Sequence, residues 1–427
     1  IRLFEINLND PYQRNSEEFE ATADQSYMDR IINEAPNYFD LETGIGKTIR
    51  MTRVRLHTDD FKLSLLGTDI ATLPYEAGIH YRGLYNDGNG AISSLSFING
   101  KLHGLIVEEG SQWEIAAIEE ENGKYLFRKS ESSGSISGFS CGILEVPGRK
   151  MTEIDNNTQG IACKTVKVSL ECDYKIFRDF QQNAVATADY ISALMNQVSA
   201  LYQSENIDLQ IQEIKVWTSD DPYSSISTAG ELLTAFRTTK GSNFNGTLSH
   251  FLTTRSIGGG MAFLDVLCNK DYAHGVSSIL TFFNNAPSYS WSVEVLAHEL
   301  GHNFGSNHTH WCGWQRADGT TGPLDNCYSS DGGCSPGPTP QNGGTIMSYC
   351  HLTTQGINFS KGFGTEPGSV IRERLTNSTC IASGGSEPIG TTTTNINATT
   401  ARLEWAPVPN AINYEAEYRL SGTTTWI

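Results

Sequence analysis

The stretch His298-Glu299-Leu300-Gly301-His302-Asn303-Phe304-Gly305-Ser306-Asn307-His308 constrains this chain more than any other. A helix from about Trp291 to Phe304, capped by Ser290, sets Val293, Leu296, Ala297, Leu300 and Phe304 on one apolar stripe. His298 and His302, four residues apart, fall together on the opposite face, with Glu299 one position round. Gly305 can take the left-handed conformation that ends a helix, and the turn brings His308 back as a third imidazole. Three neutral imidazoles at about 2.0–2.1 Å leave a tetrahedral zinc ion one open position, which separates a catalytic site from a closed structural one. Glu299 is then the candidate general base, taking a proton from water and passing it to a leaving amine, so the reaction implied is peptide-bond hydrolysis. The plain alternative is an amphipathic helix with solvent-facing histidines. It requires five specified letters to coincide by chance, on the order of one in ten thousand for a whole chain.

Composition sets outer limits. At 427 residues the chain is too long for one ordinary core, so two or three domains are expected. A net charge of −18 argues against nucleic acid or an anionic membrane surface as the main partner. No apolar run is long enough to span a bilayer. Of nine cysteines, six lie from Cys268 onward around the histidine motif, which suggests an oxidising compartment and a secreted protein. The chain starts at Ile1 without a signal peptide, so a targeting segment is expected to have been removed. A monomer is expected.

The pattern along the chain predicts an α/β (α+β) protein in four parts: 1–150, 151–383, a linker 384–394 and a tail 395–427. The first part is β-rich, with strands over Lys47–Thr58, Phe61–Leu66, Ile79–Tyr85, Ala91–Ile98, Leu102–Glu108 and Gln112–Ala117, and turns at Asn86–Gly90 and Asn99-Gly100. The second part predicts a strand over Lys164–Leu170, a long helix over Asp179–Gln203 and a strand over Leu209–Trp217, bulged between Ile211 and Ile214. A short helix follows at Glu231–Arg237, with strands at Phe251–Thr253, Met261–Val266 and Ile279–Phe282 and a last helix at Ser369–Leu375. Cys163 and Cys172 flank a strand that would hold them roughly 30 Å apart, so they cannot pair.

The histidine stretch resembles the long zinc signature of the metzincin metalloproteases, and Gly344-Thr345-Ile346-Met347-Ser348-Tyr349 resembles their methionine turn. The resemblance implies a β-rich propeptide followed by a catalytic domain with a twisted, mostly parallel sheet, Met347 beneath the metal and one catalytic Zn2+. Ile79-His80-Tyr81-Arg82-Gly83 is similar to the propeptide of the reprolysin or ADAM group. In that group a cysteine followed by glycine, here Cys141-Gly142, serves as a switch whose thiolate fills the open position of zinc. The bland reading of Cys141 is a disulfide or a small core residue. Arg149-Lys150 begins the stretch where a protease would release the first domain. Gly258 to Phe263, with Gly259, Gly260, Met261 and Ala262 at its centre, is similar to the lip strand that pairs antiparallel with substrate; its alternative is a flexible loop.

Cys268 and Cys380 resemble the reprolysin bridge from the sheet to the last helix. In the loop region after His308 the preferred pairing is Cys312 with Cys350 and Cys327 with Cys334. Three positions depart from the reprolysin pattern. Thr309 replaces an aspartate after the third histidine, and Lys167 replaces a calcium-binding glutamate, so no calcium is expected there. Tyr349 looks like the turn tyrosine of astacins and serralysins, either a zinc-reaching transition-state stabiliser or packing for the turn. The tail, with Trp405 and the Asn413–Arg419 alternation, resembles the opening strands of a fibronectin type III domain, roughly a third of a sandwich and too little to close one.

The sequence therefore predicts a secreted zinc endopeptidase acting on protein or peptide substrates, in latent form with its own propeptide as intramolecular inhibitor. Two alternatives stay open: a zinc hydrolase of non-peptide amides, and a catalytically silent binding module of the same fold.

Overall fold

The computed structural model describes residues 3–5, 18–42, 48–84, 92–108, 111–118, 123–129, 141–147, 164–280, 289–382, 389–397, 400–406 and 414. Arg149, Lys150, Cys163, the turn at 86–90 and the linker residues 384–388 lie outside them.

Alternating strands of the first part pair as a nine-stranded antiparallel sheet. Its order is Phe4–Glu5, Glu18–Ala23, Lys124–Lys129, Ser111–Ala117, Lys101–Glu108, Ile92–Ile98, Ile79–Leu84, Thr48–Val54, Tyr38–Glu42. The second sheet is built from β1 (His57–Leu66), β2 (Gly142–Leu144), β3 (Thr165–Cys172), β4 (Asp208–Trp217), β5 (Leu248–Thr253), β6 (Gly260–Phe263) and β7 (His274–Ser278), with the short strand Thr72–Leu73 beside β1. The helices packed with it include α1 (Ala184–Gln203), α2 (Tyr289–Asn303) and α3 (Thr365–Thr376), besides Tyr174–Asp179 and Ala229–Lys240. The order β2-β6-β7-β5-β3-β4-β1 is parallel at every step except β6 against β7. The chain is thus mixed α/β.

Strands from the first 150 residues stand at both margins of this second sheet. β1 pairs parallel with β4, Ile214 opposite Leu63, and β2 pairs parallel with β6, Gly142 opposite Met261. The single strand expected over Lys47–Thr58 is instead two: Thr48–Val54 stays in the first sheet and β1 leaves for the second. Apolar alternation cannot report which sheet a strand joins, because both offer the same half-buried surface.

α1 lies between the sheets and is buried nearly all round, so it lacks the one-sided stripe of a surface helix. Ile191, Leu194 and Val198 share a core with Val168 and Leu209 of the second sheet and with Ile92, Leu105 and Val107 of the first. Some polar groups on the first-sheet side are paired, while Arg82 Nη2, His80 Nε2 and the Ser93 and Ser94 hydroxyls have no hydrogen-bond partner among the described residues. Arg82 Nε donates to Asn196 Oδ1 (2.9 Å), and Asn196 Nδ2 donates to the Leu95 carbonyl (3.1 Å) and Ser96 Oγ (3.0 Å). The helix expected over Asp179–Gln203 is broken. Gln181 and Gln182 take positive φ (54° and 59°), and Asn183 restarts it by accepting from the Val185 and Ala186 amides. The bulge in β4 falls at Gln212, where Val168 faces Ile211 but Ser169 faces Glu213.

Disulfides join Cys268 to Cys380, Cys312 to Cys334 and Cys327 to Cys350. The first is as the resemblance implied. The other two correct the expected Cys312–Cys350 and Cys327–Cys334 pairing. The loop folds Asp331 back beside Trp311, carrying Cys334 to Cys312, while the Met347 turn carries Cys350 to Cys327. In the tail, Thr392–Thr394 and Arg402–Glu404 form an antiparallel pair. Among the described residues no helix is long and apolar enough to cross a membrane.

Candidate metal centre

α2 runs from Tyr289 to Asn303 and carries His298, Glu299 and His302 into the interior, where all three are almost wholly buried. Gly305 (φ 103°) turns the chain after the helix, and His308 returns to the same point. One nitrogen from each of the three rings lies within 4.8 Å of the others.

Each ring is held by its other nitrogen. His298 Nδ1 donates to the Ile346 carbonyl (2.8 Å), His302 Nδ1 to the Ser306 carbonyl (2.7 Å) and His308 Nδ1 to Asp331 Oδ2 (3.2 Å). A carbonyl or carboxylate can only accept, so the proton sits on Nδ1 and the Nε2 lone pairs face inward. His302 Nε2 and His308 Nε2 are then 3.1 Å apart, lone pair towards lone pair, and the buried His298 Nε2 has no hydrogen-bond partner. Such an arrangement is repulsive unless a cation lies between the nitrogens. Tetrahedral zinc with nitrogens at 2.0–2.1 Å would set them roughly 3.3 Å apart, so the donor set fits this ion. Burial also holds the rings neutral: it lowers His298 and His302 well below the usual histidine value and His308 to about 3, Asp331 opposing the last shift.

A carboxylate oxygen of Glu299 lies within 4.8 Å of a His298 nitrogen. Burial raises its carboxyl well above the ordinary range, the neighbouring Cys141 thiol pulling the other way. The edge of the sheet passes close by: a Cβ on Gly260 would stand 2.5 Å from Glu299 Oε1. Beneath the histidines Met347 is fully buried, its Sδ 2.6 Å from where a Cβ on Gly301 would lie. Thr309, in place of the expected aspartate, donates its N–H to the Met347 carbonyl (3.0 Å), and Asp325 takes a hydrogen bond from Ser348 Oγ (2.6 Å). The Tyr349 ring packs on His308 and His310, centroids 4.7 Å from each.

The Cys141 thiol lies within 4.8 Å of a His298 nitrogen and a Glu299 carboxylate oxygen, and it forms no disulfide. Gly142, Ile143 and Leu144 continue along β6, opposite Met261, Ala262 and Phe263. Residues with no readable signal in the sequence complete the site: the Ile346 and Ser306 carbonyls, Asp331 and His310.

Residues 162–360 match the family model Reprolysin_5, described as metallo-peptidase family M12. The curated relative "Disintegrin and metalloproteinase domain-containing protein adm-2" of Caenorhabditis elegans is 24% identical over 335 residues, 73% of this chain and 33% of the relative. The chain thus spans about a third of the length of that relative. Among solved structures, metalloproteinase-II from Bacteroides fragilis is 13% identical with a TM-score of 0.39, covering 75% of this chain and 91% of its own. Archaemetzincin from Methanopyrus kandleri is 15% identical with a TM-score of 0.23, covering 36% and 78%. The matched segment is thus similar to metallopeptidases of family M12, of the reprolysin-like type.

Proposed function

We propose that the chain is a secreted zinc-dependent endopeptidase in its latent form, with residues 1–150 as inhibitory propeptide and 151–383 as catalytic domain. The observation that carries the reading is the convergence of three inward Nε2 lone pairs, one of them buried without a partner, beside a buried carboxylate. His298, His302 and His308 would hold a zinc ion, which would supply a Lewis acid for the substrate carbonyl and a more acidic water. Glu299 would take a proton from the attacking water as its oxygen bonds to the carbonyl carbon, then deliver it to the amine nitrogen as the C–N bond breaks. Its raised proton affinity suits a group that must both take up and give up a proton. Tyr349, packed edge-on against His308, is assigned as the hydrogen-bond donor to the negative charge that develops on the carbonyl oxygen.

Latency follows from Cys141 and the strand behind it. The thiol stands at the cluster in which a water would otherwise be polarised, and Gly142–Leu144 covers Met261 to Phe263, the lip on which substrate would pair. The pairing is parallel, whereas the expected substrate pairing is antiparallel, so the inhibitory segment presents its peptide bonds in reversed order. The three disulfides support an oxidising, extracellular setting. The segment after 395 is read as the start of a fibronectin type III-like module. The test combines metal analysis with protein digestion before and after cutting near Lys150, Glu299→Ala serving as control. One zinc per chain with digestion only after the cut is expected; no zinc, or digestion unaffected by Glu299→Ala, would remove the reading.

A further inference from the structure

The third imidazole is held differently from the first two. His298 and His302 give their Nδ1 protons to main-chain carbonyls, whereas His308 gives its proton to a side chain, Asp331 Oδ2, 3.2 Å away. Asp331 also faces His310 Nε2 at 3.3 Å, and the His308 and His310 rings stack nearly parallel, with centroids 4.7 Å apart. The aspartate therefore clamps a pair of stacked rings of which one points its free nitrogen at the metal cluster. Its own position is fixed through the backbone. The Asp331 amide donates to the His310 carbonyl (2.9 Å), the Cys312 amide donates to the Asp331 carbonyl (3.0 Å), and the Cys312–Cys334 disulfide closes the loop around this bridge.

We infer that Asp331 is a positioning residue for the metal: its carboxylate fixes the tautomer and tilt of His308, and the Cys312–Cys334 disulfide holds Asp331 there. This inference rests on the zinc reading above. A carboxylate on the far nitrogen of a ligating histidine raises the basicity of the ligand and removes its rotational freedom, and losing such a partner typically costs about 10–100-fold in metal affinity.

The test uses the full chain with zinc and chelator competition, together with the visible spectrum of the Co2+-loaded protein. Asp331→Ala is expected to weaken zinc binding by about 10–100-fold and to shift the cobalt bands, because His308 can then rotate. Asp331→Asn, which keeps the size but weakens the acceptor, is expected to fall between, and Asp331→Glu to restore part of the affinity. The pair Cys312→Ser with Cys334→Ser should weaken zinc binding likewise and add little on top of Asp331→Ala. Unchanged affinity and cobalt spectrum in Asp331→Ala would overturn the inference while leaving the zinc site itself intact. So would a loss of affinity matched by an equal loss of thermal stability in the zinc-free protein. A parent chain that takes up no zinc would overturn the functional reading and this inference with it.

Discussion

The thiol of Cys141 lies within 4.8 Å of the carboxylate of Glu299, although 158 positions separate them in the chain. One is the last buried feature of the N-terminal part and the other the acid of the histidine motif. Cys141→Ser should therefore release latency without any cut, since a hydroxyl is a far poorer zinc ligand than a thiolate. Digestion of casein by the uncut variant, compared with the uncut parent, measures this; a variant as silent as its parent would show that strand cover alone suffices.

Glu299→Gln keeps the shape of the site and removes its proton carrier. Hydrolysis by the cut enzyme should fall by about 10²–10⁴-fold in kcat with zinc content unchanged. Steady-state kinetics on a quenched peptide, with metal analysis on the same sample, separates this from simple metal loss. Chelation should abolish hydrolysis in the parent and zinc should restore it.

Arg82 is buried at the contact between the first sheet and α1, and its Nε donates to Asn196 Oδ1. Asn196→Ala strips that partner and also leaves the Leu95 carbonyl and Ser96 hydroxyl short of a donor. Denaturant unfolding of the full chain should register a loss of about 1–3 kcal/mol or more. A change below about 0.5 kcal/mol would mean that the contact is solvated rather than buried.

His57 is buried against Ser192 of α1 (Nε2 to Oγ, 3.0 Å), with Phe61, Tyr75 and His80 around its ring. Burial lowers its pKa from 6.5 to about 4. Between those two values the unfolded chain binds a proton that the folded chain refuses, so stability is full above pH 6.5 and is lost as pH falls towards 4. One such group is worth about 3 kcal/mol at the bottom of the window. Unfolding measured from pH 7 to pH 4 should show this slope together with that of the other buried histidines, and His57→Gln should lessen it by its own share; an equal slope in the variant would assign the acid sensitivity elsewhere.

Local spacing carried the centre of the site. Two histidines four apart on a helix must share a face, and a glycine three residues after the second must be free to turn, so His298, His302, Glu299 and His308 could be read without any knowledge of the fold. The same holds for the strands on either side of α1 and for the bulge in β4, whose hydrophobic phase shifts within a few residues. What surrounds the histidines was not legible. Asp331 lies in a Gly- and Cys-rich loop with no periodicity, and its meeting with His308 depends on a disulfide whose partner the spacing misassigned.

The chain order alone, then, determined which imidazoles and which carboxylate come together, because helix geometry is a property of neighbours along the backbone. Only the tertiary structure decided what holds them and what covers them: the carbonyl of Ile346, the carboxylate of Asp331, and the strand Gly142–Leu144 on the lip of the sheet. Strand pairing and disulfide choice join segments far apart in sequence, and hydrogen-bonding edges of similar pattern compete for them until the whole core has packed.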